Sequence, residues 1–85
     1  MTLFTSRLAA ESIKPTASTL RAKVYAYIRD SGGATDDEVQ VGLNMNPSTE
    51  RPRRVELVEA CMVRASAVRR KTRSGREAVV WEVVK

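Results

Sequence analysis

Five cations, Arg69, Arg70, Lys71, Arg73 and Arg76, stand within eight consecutive residues with no acid among them. Three more, Arg51, Arg53 and Arg54, fall within four residues upstream. Guanidinium groups offer forked donors that fit phosphate oxygens and the O6/N7 edge of guanine. The hydroxyls of Ser48, Thr49, Thr72 and Ser74 lie between and beside them. Hydroxyls add short hydrogen bonds to the same phosphates. The chemistry on offer is non-covalent capture of a polyanion. The charge is also directional. The 85-residue chain has a net charge of +5, and residues 1–45 carry five basic and five acidic side chains. Residues 46–85 carry ten and five, so the whole excess lies in that half. Such an asymmetry reads as an electrostatic footprint or, equally well from charge alone, as a solvated basic surface.

Other chemistry has few residues to work with. There is no His and one Cys, Cys61. That excludes an internal disulfide and leaves a zinc site almost without ligands. Ser-His-Asp and Cys-His nucleophiles are excluded as well. No Gly-rich phosphate loop occurs, so no cofactor, metal or enzymatic activity is expected. Asp36-Asp-Glu38 reads as a helix start rather than a metal cluster. Cys61 is expected in the core, and so is Trp81, which alternates with Val79 and Val83. No apolar run approaches a membrane span, and the N-terminus lacks the order of a signal peptide. A cytoplasmic protein without a membrane partner is expected.

The elements that must position the cations follow from hydrophobic spacing. Residues 1–15 read as a leader, with a short helix ending before Pro15. Its Leu3, Phe4, Leu8 and Ile13 are apolar enough to dock on the body. Residues 16–85 form one domain. Leu20, Val24, Tyr27 and Ile28 make the stripe of a first helix, capped by Thr16 or Ser18 and stopped by Gly32-Gly33. Thr35-Asp-Asp-Glu38 is a capping box that opens a short second helix with Val39 and Leu43 inward. Asn44-Met-Asn-Pro47 predicts a tight turn. A third helix is expected from Ser48 or Thr49 to about Ala60-Cys61, with Pro52 in its first turn. The period then changes to two, with Val63, Ala65 and Ala67, and again with Val79, Trp81 and Val83. Between these strands, Ser74-Gly75 marks the turn of a basic β-hairpin.

The order is helix, short helix, turn, helix, hairpin, an α+β arrangement. The residues Thr35-Asp-Asp-Glu-Val39, Leu43-Asn-Met-Asn-Pro-Ser-Thr49, Arg51-Pro-Arg-Arg-Val-Glu-Leu-Val-Glu-Ala60 and Thr72-Arg-Ser-Gly-Arg76 into Val80-Trp81 carry a resemblance. From Ala17 to Val84 the chain resembles the winged helix-turn-helix DNA-binding family. It is similar to the small stand-alone winged-helix proteins of bacteria and their phages. The resemblance implies a third helix in the major groove of double-stranded DNA and a wing on the backbone or minor groove. It also implies a small regulator in the cytoplasm, on the nucleoid or in a phage host. A winged-helix module that grips a host protein through its basic face is the alternative. A homodimer is left open. Members usually carry Gly after the third helix, where this chain reads Ala60-Cys-Met-Val63.

A helical wheel for the third helix gathers Val55, Leu57, Val58, Cys61 and Met62 on a core side. Thr49, Pro52, Arg53 and Glu56 fall opposite. Arg53 is then the expected base reader, and Ser48 and Thr49 suit a phosphate or a thymine methyl. Arg51, near the helix start, is expected to reach phosphate. Arg54 has two readings, a phosphate contact or a stem on the core with its head on an acid of the second helix. Glu56 on the exposed face repels phosphate unless it accepts from a cytosine amine. In the hairpin, Arg70, Lys71, Thr72, Arg73, Ser74 and Arg76 form the expected backbone contacts.

Overall fold

A computed structural model of the chain describes residues 16–85. The leader expected at 1–15 lies outside the described residues. Three helices, α1 (Ala17–Ser31), α2 (Asp36–Leu43) and α3 (Pro47–Glu59), are followed by strands β1 (Val63–Lys71) and β2 (Glu77–Val83). The strands pair antiparallel as one hairpin, giving an α+β fold.

Helix α1 begins because the Thr16 hydroxyl accepts from the Thr19 N–H. Its stripe buries Val24 and Ile28 completely, with Leu20 and Tyr27 half-buried. Gly32 closes it in the left-handed conformation at φ 71°. Helix α2 follows with the capping box in place: Thr35 accepts from the Glu38 N–H, and the Glu38 carboxylate accepts from the Thr35 N–H. Three acids in its first turn complement the helix dipole. Gly42 lies so close to Tyr27 of α1 that a Cβ there would overlap the ring.

Helix α3 starts two or three residues earlier than the Ser48 or Thr49 cap implies. Asn46 is the cap, accepting from the Thr49 N–H, and Pro47 takes the first helical position. Pro52 is therefore inside the helix, where it cannot donate to the Ser48 carbonyl. Both Pro52 and Ser48 are exposed, so water can satisfy that carbonyl.

The end of α3 corrects the expectation for Cys61, which is exposed rather than in the core. It sits at φ 62° and takes the left-handed position that glycine usually fills. The Met62 N–H reaches Leu57 O and the Cys61 N–H reaches Val58 O, both bonds of a Schellman closure. Left-handed geometry turns the Cys61 side chain away from the helix face that the wheel assigned to it.

The core gathers Val24, Ile28, Ala34, Val39, Leu57 and Val63, with Trp81 packed against its edge. Ala34, between α1 and α2, exchanges two backbone hydrogen bonds with Trp81, of 2.9 and 2.8 Å. The hairpin is thereby stitched to the helices. Its register slips between Ala65 and Arg69. The period-two reading of β1 holds only at its start: Val63 is buried, while Ala65, still in regular register with Trp81, and Ala67, within the slip, are exposed.

Candidate nucleic-acid interface

A cleft of about 480 Å³ opens between α2, the start of α3 and the hairpin. Asp36, Asp37 and Gln40 come from α2, and Arg51 from α3. Thr72, Ser74, Arg76, Glu77, Val79 and Trp81 come from the hairpin. The sequence folds this way because the Ala34–Trp81 pairing fixes the hairpin base against α2. The tip is closed by Thr72 N–H to Arg76 O at 2.8 Å and Gly75 N–H to Thr72 O at 2.9 Å. The Thr72 and Ser74 hydroxyls lie 2.9 Å apart across that tip.

The basic residues divide into two groups. One group is already neutralised. Arg54 grips Asp36 with Nε at 3.0 Å and Nη2 at 2.8 Å, and its guanidinium lies 4.0 Å from the Trp81 ring centroid. Of its two expected readings, the structure takes the pair with an acid of the second helix. Arg70 donates to Glu38 and to the Gly33 carbonyl. Arg73 bonds Asp37 through both its backbone N–H and its guanidinium, which holds the Asp37 carboxyl below the usual carboxylate range.

Arg53 belongs to the same group, and this corrects its place on the exposed face. Its side chain is 19% exposed and donates to Glu56, which also accepts from Arg21 of α1 at 2.7 Å. The Arg21 hydrogen bond, with Arg53 beside it, lowers the Glu56 carboxyl from its ordinary value. Glu56 is thus an inter-helix clasp rather than a groove-facing carboxylate. Arg53 Nε is buried without a partner.

The second group is unpaired. Arg51, Arg69, Lys71 and Arg76 are exposed and form no ion pair among the described residues. Arg51 and Arg76 line the cleft from opposite walls. Arg69 and Lys71 pair in register with Val79 and Glu77, two residues of the cleft wall. Neither of these two cations lines that cleft, and Lys71 instead lines a second groove with Tyr27, Asp37, Glu38, Val41, Thr72 and Arg73. The acids of the cleft are mostly spent, Asp36 on Arg54 and Asp37 on Arg73.

The true outward stripe of α3 is Ser48, Arg51, Pro52, Val55 and Glu59. It is rotated from the expected one by about 100°, one residue's worth. The wheel was phased on the apolar side chains. The structure buries Glu50 beside Leu57 and leaves Val55 39% exposed. Thr49 is half-buried and Ser48 is exposed. Pro52 and Val55 were not among the expected contact residues. Pro52 is outward in both phases, so it does not distinguish the observed stripe from the expected one.

Beneath Arg51 lies Glu50, fully buried. One oxygen accepts from Gln40 Nε2 at 2.9 Å, and the other has no partner. Burial, countered by the Gln40 bond and reinforced by neighbouring Asp36, pushes its carboxyl up to about 8.

Among the described residues, no helix is long and apolar enough to cross a membrane, and no cluster of His, Cys, Asp or Glu is placed to hold a metal. No protein-family model, curated protein or solved structure matches the chain.

Proposed function

We propose that the chain is a winged helix-turn-helix domain that binds double-stranded DNA. In this reading α3 lies in the major groove and the hairpin is the wing, resting on the backbone. One observation carries it. Two cations without an acid partner, Arg51 of the helix start and Arg76 of the hairpin tip, face one another across a single cleft, and Arg69 and Lys71 of the adjoining strand are likewise exposed and unpaired. Neighbouring Arg53, Arg54, Arg70 and Arg73 are held by carboxylates. An unpaired surface cation gives up only water and counterions on meeting phosphate, whereas a paired one must first leave its acid. Thr72 and Ser74 extend the contact with neutral donors.

A small non-enzymatic regulator in the cytoplasm is the role this surface suits. The test compares single alanine variants on a random-sequence duplex by fluorescence anisotropy. Arg51→Ala and Arg76→Ala should each weaken binding several-fold at low salt and leave the melting temperature nearly unchanged. Arg54→Ala should lower the melting temperature, because it strands Asp36 and uncovers Trp81. Absence of duplex binding at every salt concentration would overturn the reading and favour an acidic protein surface as the partner.

A further inference from the structure

The cleft between α2, the start of α3 and the hairpin is built like a small-molecule site. Its volume of about 480 Å³ falls within the range of about 300–1,000 Å³ that such sites occupy, more room than one phosphate group fills. Part of its lining is apolar, from Ala78, Val79 and Trp81 of β2. The Arg54 guanidinium, 4.0 Å from the Trp81 ring centroid, holds the indole in place. Gln40, also in the lining, is fixed in turn by its 2.9 Å bond to the buried Glu50. Against this rigid lining stand Arg51 and Arg76, two cations with no acid partner among the described residues. The Thr72 and Ser74 hydroxyls share one hydrogen bond of 2.9 Å, so one of their two protons is left to donate.

The charges restrict the occupant. Asp36, Asp37 and Glu77 line the cleft, and the first two are held by Arg54 and Arg73. Two free arginines match the two charges of a phosphate monoester. The remaining carboxylate, Glu77, counts against a longer polyphosphate, whose added charge would meet it. Trp81 and Val79 offer a surface on which a planar base can stack. We infer that the cleft binds a nucleoside monophosphate. Arg51 and Arg76 clamp the phosphate, the Thr72–Ser74 pair donates to it, and the base lies against Trp81 and Val79. The binding stands apart from the duplex reading, and only its consequence rests on that reading. Nucleotide and DNA phosphate call on the same two arginines, so the bound nucleotide displaces duplex and makes the domain responsive to a small ligand.

Trp81 is the chain's one tryptophan, so its fluorescence reports on the cleft directly. The whole chain is titrated with adenosine monophosphate, and in separate arms with inorganic phosphate, adenosine and adenosine triphosphate. The monophosphate should change Trp81 emission saturably and bind about tenfold tighter than phosphate or adenosine, each of which makes only part of the contacts. Arg51→Ala and Arg76→Ala should each weaken it about tenfold. Arg69→Ala removes an unpaired cation outside the cleft and should leave nucleotide binding unchanged. Added monophosphate should release bound duplex. No saturable response at millimolar monophosphate overturns the inference, and so does inorganic phosphate that binds as tightly. Tighter binding of the triphosphate, or an Arg69→Ala loss as large as that of Arg51→Ala, overturns it in favour of a non-specific anion surface. Nucleotide that binds without releasing duplex overturns the shared use of the two arginines. A chain that binds the nucleotide and no duplex upholds the cleft and overturns the DNA reading alone.

Discussion

Glu50 shows how a single side chain can mislead a helical wheel and then explain a site. It is an acid at a position of full burial, held by Gln40 and close to the Asp36–Arg54 pair. Its neighbours Arg51 and Arg54 point to different tasks because Glu50 and Leu57, seven residues apart, fix the inward direction of α3. The pH dependence follows from the raised carboxyl. In the unfolded chain Glu50 releases its proton near 4.5, and in the folded chain at about 8. The fold therefore favours the protonated form. Its contribution is fully present below the unfolded value, declines as pH rises through the window between the two, and levels off above the folded value. The decline is at most about 1.4 kcal/mol for each pH unit. Melting curves between about pH 5 and about pH 9 should fall for the wild type and stay much flatter for Glu50→Gln. A wild-type profile that rises across that window would contradict a neutral buried Glu50. Asp37 and Glu56, both lowered by arginines, act in the opposite sense and lose their contributions only as acid protonates them.

At the scale of elements, the end of α3 carries the clearest test. Cys61 holds a left-handed backbone at φ 62°, a conformation that costs a side-chain-bearing residue about 1 kcal/mol or more. Cys61→Gly should raise stability by about 0.5–1 kcal/mol after glycine's greater unfolded-state freedom is counted, read as a higher melting temperature. A lower one would mean that the thiol makes a contact the geometry does not reveal. The same region separates what was legible in the sequence from what was not. The Thr35–Glu38 capping box, the Gly32 stop of α1 and the turn at Ser74-Gly75 each depend on a few adjacent residues, and they stand where their signals lie. The phase of α3 depends on partners far along the chain. Arg21 lies 35 residues before Glu56, and Asp36 lies 18 before Arg54. Apolar periodicity cannot register a helix whose inner face is partly made of paired charges. The cap at Asn46 was hidden for a local reason, since the hydroxyls of Ser48 and Thr49, two and three residues later, are cap acceptors as good as its amide oxygen. The Ala65–Arg69 irregularity had no signal at all, because alanine and serine fit either face of a strand.

For the whole molecule, the net charge of +5 matters less than how it is distributed. Most of the arginines near the hairpin and α3 serve the fold, clasping α1 to α3, α2 to α3 and the hairpin to α2. The exposed pairs, such as Arg70–Glu38, contribute little each, about 0–1 kcal/mol, and the largely buried Arg54–Asp36 pair counts for more, but all of them set which cations remain available. Arg51 and Arg76 at the cleft, with Arg69 and Lys71 unpaired on the adjoining strand, form the surface on which the account stands. Its central claim is measured most directly by the salt dependence of duplex binding. If Arg51, Arg69, Lys71 and Arg76 each neutralise one phosphate, the logarithm of the association constant should fall against that of salt concentration with a slope of about −3.6. Replacing all four with alanine should bring the slope close to zero, while Arg53→Ala should leave it unchanged. A wild-type slope near zero, or a four-alanine variant that keeps the wild-type slope, would contradict the account.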